Sequence, residues 1–404
     1  MTTKHFLFLM GLFGATCFAQ VPTRKALFDN TKNETAENAD WIIDTDQPVP
    51  FPAQSGITST TPETYWLGGI SAWGVDLVKR GFTVHTLTRT YGITFGNPNN
   101  PYDLSRYDLF VVCEPQNPIT ATEKQAIVSF VANGGGLFMV ADHDASDRDN
   151  DGWDSPKIWN SFRADSLFGI HFQSTGESDR NISQTATNIC SQPDEIMNGA
   201  AGTVSNLSFY NGTTMPLLTS FNPTATGHVW MNGAPQGTAK VMASTARYQR
   251  GRVAAVGDSS PADDSTGQPG NRLYNGWNEP GTTNSTLFLN LSLWLVSDSV
   301  ATAVDDDGGA IASQYVLNQN YPNPFNPSTT ITYSLPQSSR ARIEIFDVLG
   351  KRIKVLSDDV QPAGNHAVQW DGTNEQGVPV SSNVYVYRAT LSSEVFSRRM
   401  VLLK

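Results

Sequence analysis

Two apolar segments separated by a helix constrain the fold of this chain more than any other feature. The strand predicted over 107–114 (YDLFVVCE) has five consecutive apolar residues at 109–113, and residues 137–141 (LFMVA) are all apolar, as in strands that are buried on both faces. Between them, Thr120 and Glu123 form a capping box that predicts a helix over 120–132, and glycines follow it. This strand–helix–strand order is typical of a mostly parallel sheet that is covered by helices.

The same alternation extends over residues 20–298. Further strands are predicted at 25–29, 82–87 and 252–256, and further helices at 64–79 and 285–296. We therefore expect a doubly wound, mostly parallel α/β domain of flavodoxin-like type. Residues 144–250 are expected to hold loops and an antiparallel excursion.

The N-terminal residues have the pattern of an export signal. Lys4 precedes an apolar run over 6–13, and residues 17–19 form a small-x-small cleavage site. Residues 1–19 are therefore predicted to be a signal peptide. A lipoprotein anchored through Cys17 is the alternative, although Gly14 stands where such signals usually carry a bulky aliphatic residue.

Charge and cysteine content exclude several classes of protein. With 27 basic and 38 acidic residues the formal net charge is -11, which repels phosphate backbones, so we expect no nucleic-acid partner. After the first twenty residues no apolar run is long enough to form a transmembrane segment. Three cysteines are too few for a disulfide scaffold. Cleavage would leave Cys113 and Cys190, and a disulfide between them stays open.

The composition changes near residue 299. Residues 299–313 are small and acidic, which is typical of a linker. Beyond it, short segments of period two are separated by turn residues and predict a small antiparallel sandwich over 314–404. These segments are residues 329–333, 342–346, 367–370 and 384–389.

The motifs of this C-terminal segment resemble those of type IX secretion sorting domains. They are YPNPFNP at 321–327, IFDVLG at 345–350, WDG at 370–372, VYVY at 384–387 and RMVLLK at 399–404. The resemblance implies an immunoglobulin-like module with the type IX secretion machinery as its partner. It also implies that the protein is secreted, or held at the cell surface of a Gram-negative bacterium, after export through the periplasm.

The large domain resembles secreted bacterial proteins described only as hydrolases. The matching motifs are FDNT at 28–31, ADW at 39–41, GGGLFMVADH at 134–143, DNDG at 149–152 and GDSSPADD at 257–264. The resemblance implies an amidotransferase-like sheet of the superfamily that includes ThuA-like domains. Cys113 lacks a glycine elbow, so we interpret it as a buried core thiol and not as a nucleophile.

Acidic residues close four of the predicted strands. They are Asp29, Glu114, the group Asp142, His143 and Asp144, and Asp258. Because the carboxyl ends of parallel strands share one edge of a sheet, these groups should lie together. Carboxylates without basic partners repel each other, so a divalent metal is expected there, with Asp29 and Asp144 among its ligands. His143 would be a ligand or a general base, and Asp142 and Asp258 would be catalytic. The alternative is that these acids cap helices and loops.

A second acidic pattern lies in the loop that follows. Asp147, Asp149 and Asp151 alternate before Gly152, as in the first half of an EF-hand loop, and Asp154 follows. The twelfth position is isoleucine, so the usual bidentate glutamate is absent. We expect a structural calcium here; a solvated loop held by Asx-turns is the alternative.

A serine-hydrolase site is also open. Ser259 would be the nucleophile, His143 its base, and Asp142 or Asp264 the orienting acid. Pro261 stands where the usual elbow has glycine, so the hydroxyl could instead ligate metal or cap a turn.

These features predict a secreted hydrolase that acts on an extracellular polymer or ester with metal assistance. The alternatives are a serine esterase using Ser259 and a calcium-dependent glycan-binding protein without catalysis. In the last case some tryptophans could stack on sugars, although core packing is the default interpretation for each. The tryptophans concerned are Trp66, Trp73, Trp159, Trp230 and Trp277.

Overall fold

The structure is a computed structural model in which the chain divides into two compact units, residues 1–299 and 300–404. It describes residues 24–36, 39–144, 146–186, 188–191, 194–267, 274–297, 315–317, 320, 323, 325–361 and 364–403. The predicted signal peptide and linker lie outside these residues. No helix within them is both long enough and apolar enough to cross a bilayer.

The first unit contains eleven described strands and five described α-helices. The strands are β1 Arg24–Asn30, β2 Phe82–Thr88, β3 Leu109–Cys113, β4 Gly136–Val140, β5 Ile182–Ala186, β6 Asn198–Gly199, β7 Gly202–Thr203, β8 Leu207–Gly212, β9 Thr226–Trp230, β10 Val241–Tyr248 and β11 Gly251–Val256. The helices are α1 Ser71–Lys79, α2 Ala121–Ala132, α3 Ser155–Phe162, α4 Ala164–Phe168 and α5 Asn284–Leu295, with short 3-10 helices at Gln54–Gly56, Glu63–Tyr65, Leu104–Arg106 and Ser260–Ala262.

Seven of these strands form one mixed, mostly parallel sheet. Its order is β2-β1-β3-β4-β11-β10-β9, and the first five strands are parallel to one another. The last two strands are antiparallel and extend the sheet from β11. The mostly parallel α/β sheet predicted from the sequence is therefore confirmed, and the antiparallel excursion lies in β9 and β10.

Helices pack on both faces of the sheet. Trp73 of α1 makes edge contacts with Phe28 of β1 and Phe138 of β4, and it also contacts Phe288 of α5. On the opposite face, Phe110 of β3 contacts Phe130 of α2. Phe138 pairs with Val111 of the neighbouring strand, and Phe110 pairs with Leu137. Because adjacent residues of a strand point to opposite faces of the sheet, the rings of Phe138 and Phe110 lie in different layers.

The first helix begins seven residues later than predicted. Residues before it cross closely over the segment 40–44, where an added Cβ on Gly68 would lie 2.3 Å from the Ile42 carbonyl oxygen. The backbone at Gly68 therefore leaves no room for a side chain. The amino end of α1 is instead satisfied by Asp264, which accepts from the Ala72 amide at 2.6 Å and the Ser71 hydroxyl at 2.8 Å.

The second unit is an antiparallel two-sheet structure, as expected. Its strands are β12 Val316–Leu317, β13 Thr329–Leu335, β14 Ser339–Asp347, β15 Arg352–Gln361, β16 Gly364–Trp370, β17 Asn383–Leu391 and β18 Glu394–Leu402. They form the sheets β12-β13-β16 and β15-β14-β17-β18. Alternate residues of both sheets build a common core that includes Tyr333, Ile343, Trp370 and Tyr387.

Replacement of Trp73 tests the packing of the first unit. Trp73→Ala removes the fully buried ring that joins β1, β4 and α5, so the free energy of unfolding should fall by about 3–5 kcal/mol. Phe221→Ala removes an exposed ring and should change it by less than about 0.5 kcal/mol. Urea unfolding followed by circular dichroism measures both. Equal midpoints for Trp73→Ala and the unmodified chain would contradict this packing.

Candidate functional site

Four buried acidic side chains meet the carboxyl edge of the parallel sheet. Asp29 lies near the end of β1, Glu114 directly follows β3, Asp142 follows β4 and Asp258 follows β11. Because these four strands are consecutive neighbours in the sheet, the acids line one edge, which we call the rim. These four acids therefore lie at the edge of the sheet that was predicted for them from the sequence.

A basic residue that the sequence argument missed lies among these acids. The Nε of Arg148 donates to Glu114 Oε1 at 2.6 Å, and its guanidinium lies 3.5 Å from Asp142 Oδ2. The backbone amide of Arg148 is also held, by Gln116 Oε1 at 2.9 Å. The premise that the rim acids lack a basic partner was therefore wrong. The sequence feature that could have indicated this partner is the single arginine within the acidic segment 147–151.

Glu114 is the central member of the rim. Its side chain is fully buried, and its backbone has φ +49°, a left-handed conformation that costs a non-glycine residue about 1–3 kcal/mol. Ser259 donates its hydroxyl to Glu114 Oε2 at 2.7 Å, so both carboxylate oxygens are held. Burial raises the pKa of Glu114, Arg148 opposes that rise and the Asp142 charge adds to it, leaving the pKa above its usual value.

His143 and Asp142 form a pair that reaches solvent. His143 Nδ1 lies 3.1 Å from Asp142 Oδ2, in ion-pair contact but without hydrogen-bond geometry, and 21% of the histidine side chain is exposed. Burial lowers the pKa of His143, but the Asp142 and Glu114 carboxylates raise it, and the net change is upward. The Asp142 backbone amide donates to Ser155 Oγ at 2.9 Å, which fixes the turn that carries the pair.

Asp258 and Ser259 are both fully buried. The Asp258 carboxylate accepts from the amides of Tyr210 and Ser260. Burial and the nearby Asp142 charge raise its pKa well above the usual value.

Ser259 is not arranged as the nucleophile of the predicted triad. Its hydroxyl donates to Glu114 and not to His143. Asp264, the alternative orienting acid, is occupied by the amino end of α1. The predicted esterase arrangement is therefore not formed.

Asp29 belongs to a separate carboxyl pair on the rim. Burial raises its pKa to about 6, and it interacts with Glu34, whose pKa burial and the Asp29 charge also raise. The Thr31 amide donates to Asp29 Oδ1 at 3.1 Å. Asp29 therefore lies beside a second buried carboxyl, that of Glu34, and each raises the free-energy cost of ionising the other.

Among the described residues, one group brings three acidic ligand atoms within 4.8 Å of one another: Asp147, Asp149 and Asp151. Asp147 accepts from the amides of Asp151 and Gly152 at 3.0 and 2.8 Å, which shapes the loop as Asx-turns do. Asn33 and Asn117 donate to Asp149 Oδ2 at 2.7 and 2.9 Å. The three acids expected to bind calcium therefore lie together.

Two further expected metal ligands, Asp144 and Asp154, are paired with cations of the chain. Asp144 is bound by Arg180 and by the Thr175 hydroxyl. Asp154 is the N-cap of α3, accepting from the Lys157 amide at 3.0 Å, and its other oxygen lies 2.8 Å from Lys157 Nζ. Asp154 thus caps a helix and pairs with a lysine, whereas Asp144 pairs with an arginine and a threonine hydroxyl and caps no helix.

Two other expectations concern Cys113 and Cys190. Cys113 is buried, and burial raises the pKa of its thiol well above the usual value, which confirms a core role. It is not joined to Cys190; both are free thiols.

The five tryptophans considered as sugar platforms are all at most 4% exposed, so none is available for stacking. An exposed aromatic side chain near the rim is Tyr274, which is 38% exposed and stacks on Tyr210 with ring centroids 5.1 Å apart. The charges of Asp142 and Asp258 contribute to a raised pKa of Tyr274, after burial. No sequence pattern had indicated it.

Comparison with known proteins finds a match to a family model in the second unit. The FlgD Ig-like domain model matches residues 325–394. No curated protein matches the chain.

Several solved structures are similar to parts of the chain. The mmIFT52 N-terminal domain is 12% identical with a TM-score of 0.42, covering 68% of this chain and 99% of that one. Dimeric latent PorU from Porphyromonas gingivalis is 20% identical with a TM-score of 0.20, covering 27% and 10%. FlgD from P. aeruginosa is 21% identical with a TM-score of 0.16, covering 18% and 59%. At these TM-scores the likenesses carry no functional conclusion.

The match to the FlgD Ig-like domain corrects the resemblances drawn from the sequence. Assignment of residues 314–404 to type IX sorting domains was wrong, and so was assignment of the large domain to the ThuA-like group, which no match supports. The motifs that suggested sorting serve the fold: Asp347 accepts from the amides of Leu349 and Lys351 in a turn, and Trp370 is buried in the core. A type IX partner rested on that assignment alone.

The Asp29 carboxyl provides a test by pH. Because its pKa is about 6 in the folded chain and 3.8 ordinarily, the folded state binds this proton more tightly, and the resulting stabilisation is lost as pH rises from about 4 through 6. Between pH 4 and pH 7 the unmodified chain should lose about 1–3 kcal/mol of unfolding free energy relative to Asp29→Asn.

Urea unfolding at each pH gives this difference, and Asp46→Asn, which removes an exposed carboxylate, is the control. A difference between Asp29→Asn and the unmodified chain that stays constant over this range would show that Asp29 is not buried as described.

Proposed function

We propose that this chain is an exported hydrolase that cleaves esters, free or within an extracellular polymer, at the rim. The observation that carries the proposal is the set of buried carboxylates with raised pKa values around His143 and Arg148. Such groups destabilise a fold and are concentrated where chemistry requires them. The left-handed backbone at Glu114 supports the same conclusion, because such strain clusters at functional sites.

His143 would act as the general base. With Nδ1 facing Asp142, its Nε2 is free to take a proton from water, and it has no hydrogen-bond partner among the described residues. The water oxygen bonds to the ester carbonyl carbon, and the imidazolium then returns the proton to the leaving alkoxide as the ester C–O bond breaks. Asp142 stabilises the imidazolium in between.

Arg148 would stabilise the negative charge that develops on the carbonyl oxygen. It is the one rim cation among the described residues that contacts both Glu114 and Asp142, and 12% of its side chain is exposed. Glu114 and Asp258 are fully buried, so they position and tune these two groups instead of touching substrate. Ser259 positions Glu114.

The loop 147–151 supports a structural calcium as a second part of the proposal. Carboxylate oxygens from Asp147, Asp149 and Asp151 are the ligands that calcium prefers. Arg148 lies between two of these acids, so an ion there would also fix the backbone that presents the guanidinium to Glu114.

The finer fold and the location belong to the same proposal. Helices on both faces of the parallel strands support a doubly wound, flavodoxin-like sheet, whose ligands bind at the carboxyl edge. Export rests on the signal sequence of residues 1–19.

Removal of the imidazole tests the catalytic part. His143→Ala should lower hydrolysis of 4-nitrophenyl and 4-methylumbelliferyl esters by about 10²–10⁴-fold, because the base is lost. In the unmodified chain, activity should fall as pH drops through the pKa of His143, which lies above 6.5.

His171→Ala is the matched control, because His171 pairs with Glu177 at 3.0 Å with a similar exposed fraction. Steady-state rates and melting temperatures are measured for all three proteins. Full ester hydrolysis by folded His143→Ala would sink the proposed function.

Calcium addition tests the loop separately. Because the folded loop gathers three carboxylates that the unfolded chain does not, calcium at a hundredfold excess over its dissociation constant should stabilise the unit by about 2.7 kcal/mol. Asp149→Ala should abolish the rise in melting temperature, and Asp46→Ala should retain it. If calcium and chelator give identical melting curves in the unmodified chain, the loop is an Asx-turn without an ion.

A further inference from the structure

A second hydroxyl, histidine and carboxylate are connected at the antiparallel end of the sheet. Thr245 Oγ1 lies 2.8 Å from His228 Nε2, and His228 Nδ1 lies 2.6 Å from Asp194 Oδ2. Thr245 and His228 lie on the paired strands β10 and β9. None of the three residues belongs to the rim.

The hydrogen bonds of Asp194 determine which atoms donate and which accept among these three side chains. Its Oδ1 accepts from the Ile196 and Met197 amides at 2.7 and 3.1 Å. Burial raises the pKa of Asp194, but His228 and these amides lower it by a larger amount, so the pKa is about 2. The carboxylate is therefore ionised. An ionised carboxylate can only accept, so Nδ1 of His228 carries the proton. When the ring carries no second proton, Nε2 accepts from the Thr245 hydroxyl, 2.8 Å away.

The three groups line a cavity of about 350 Å³, the size of small-ligand sites. Its other lining residues are Glu195, Ile196, Thr224, Thr226, Ala246, Arg247 and Trp294. Thr245 and His228 are each 5% exposed, and Thr226 and Arg247 at the cavity wall are exposed. A small molecule therefore has a path to the hydroxyl.

Arg247 gives the cavity its unpaired positive charge. It lies two residues after Thr245, so the two side chains leave β10 on the same face. Its guanidinium carbon is 5.6 Å from the Trp294 ring centroid, and no carboxylate among the described residues pairs with it. Glu195 is already bound to the Trp294 indole and Asp194 to His228. A ligand with a negative charge would complement this guanidinium.

We propose that this cavity is a second reactive site, in which Thr245 takes the acyl group of a small anionic ester. Thr245 Oγ bonds to the carbonyl carbon while its proton passes to His228 Nε2. The ester C–O bond then breaks, and the leaving alcohol receives that proton. Water releases the acyl group by the same route in reverse, so ester and water give acid and alcohol. A hydroxyl within reach of an oriented base is the signature of such a nucleophile.

Acylation by mono-4-nitrophenyl succinate, with peptide mapping by mass spectrometry, tests the site in the full chain. We expect succinyl-Thr245, formed faster than acetyl-Thr245 from the neutral 4-nitrophenyl acetate. Arg247→Gln should remove that preference. His228→Gln should slow the acylation about 100-fold.

Three matched variants keep the test independent of folding. Thr245→Val has the same shape without the hydroxyl and should lose the adduct. Thr245→Ser should keep it on the serine, and Thr226→Val, which changes the cross-strand neighbour, should leave Thr245 labelled.

Absence of an adduct at Thr245 in the unmodified chain and at position 245 in the serine variant would overturn the proposal. The three groups would then be a buried polar network. Because mapping identifies the acylated residue, this outcome is distinct from failure of catalysis at the rim.

Discussion

The ion pair between Arg148 and Glu114 is the interaction on which the rim depends. Parallel strands deliver acidic residues to one edge, and burial removes the water that would otherwise solvate them. A buried carboxylate without a partner costs several kcal/mol, and removing one member of a buried pair typically costs about 3–5 kcal/mol. Arg148 lies against two of the acids at 2.6 and 3.5 Å, and its positive charge offsets the repulsion between them.

The position of Arg148 in the chain links two features that look separate in the sequence. The acidic loop 147–151 contains Arg148, which is the cation of the rim. Asn33 and Asn117, which follow β1 and β3, donate to Asp149 of the same loop. The loop is therefore tied through Asp149 to residues that follow two strands at the carboxyl edge, and an ion bound there would act on the rim through Arg148.

Much of the fold could be predicted because burial on two faces leaves a clear signal. The segments that form β3 and β4 are apolar on both faces, and α2 between them begins with a capping box. This combination indicates a parallel sheet that is covered by helices. The start of α1 could not be predicted, since the close approach of Gly68 to Ile42 is a tertiary contact. The match of the second unit to the FlgD Ig-like domain model was missed because its turn and core motifs indicate an immunoglobulin-like fold, and that fold is shared more widely than any one function.

The candidate site was predictable in position and not in pairing. Strand ends locate Asp29, Glu114, Asp142 and Asp258, but which carboxylate meets which cation depends on loop paths. Asp154 forms an ion pair with Lys157 within one helical turn, and such a local pair could have been predicted from the sequence. The bond from Ser259 to Glu114 spans 145 residues, and the contact of His228 with Asp194 spans 34. Neither leaves a pattern in the sequence.

Carbon-detected NMR titration of the Glu114 carboxyl tests the central claim most directly. If the rim is a buried acidic edge neutralised by Arg148, Glu114 titrates above its usual 4.5, and Arg148→Gln raises its pKa further because the opposing charge is gone. A Glu114 carboxyl that titrates at an ordinary value, and does so equally in Arg148→Gln, would contradict the account.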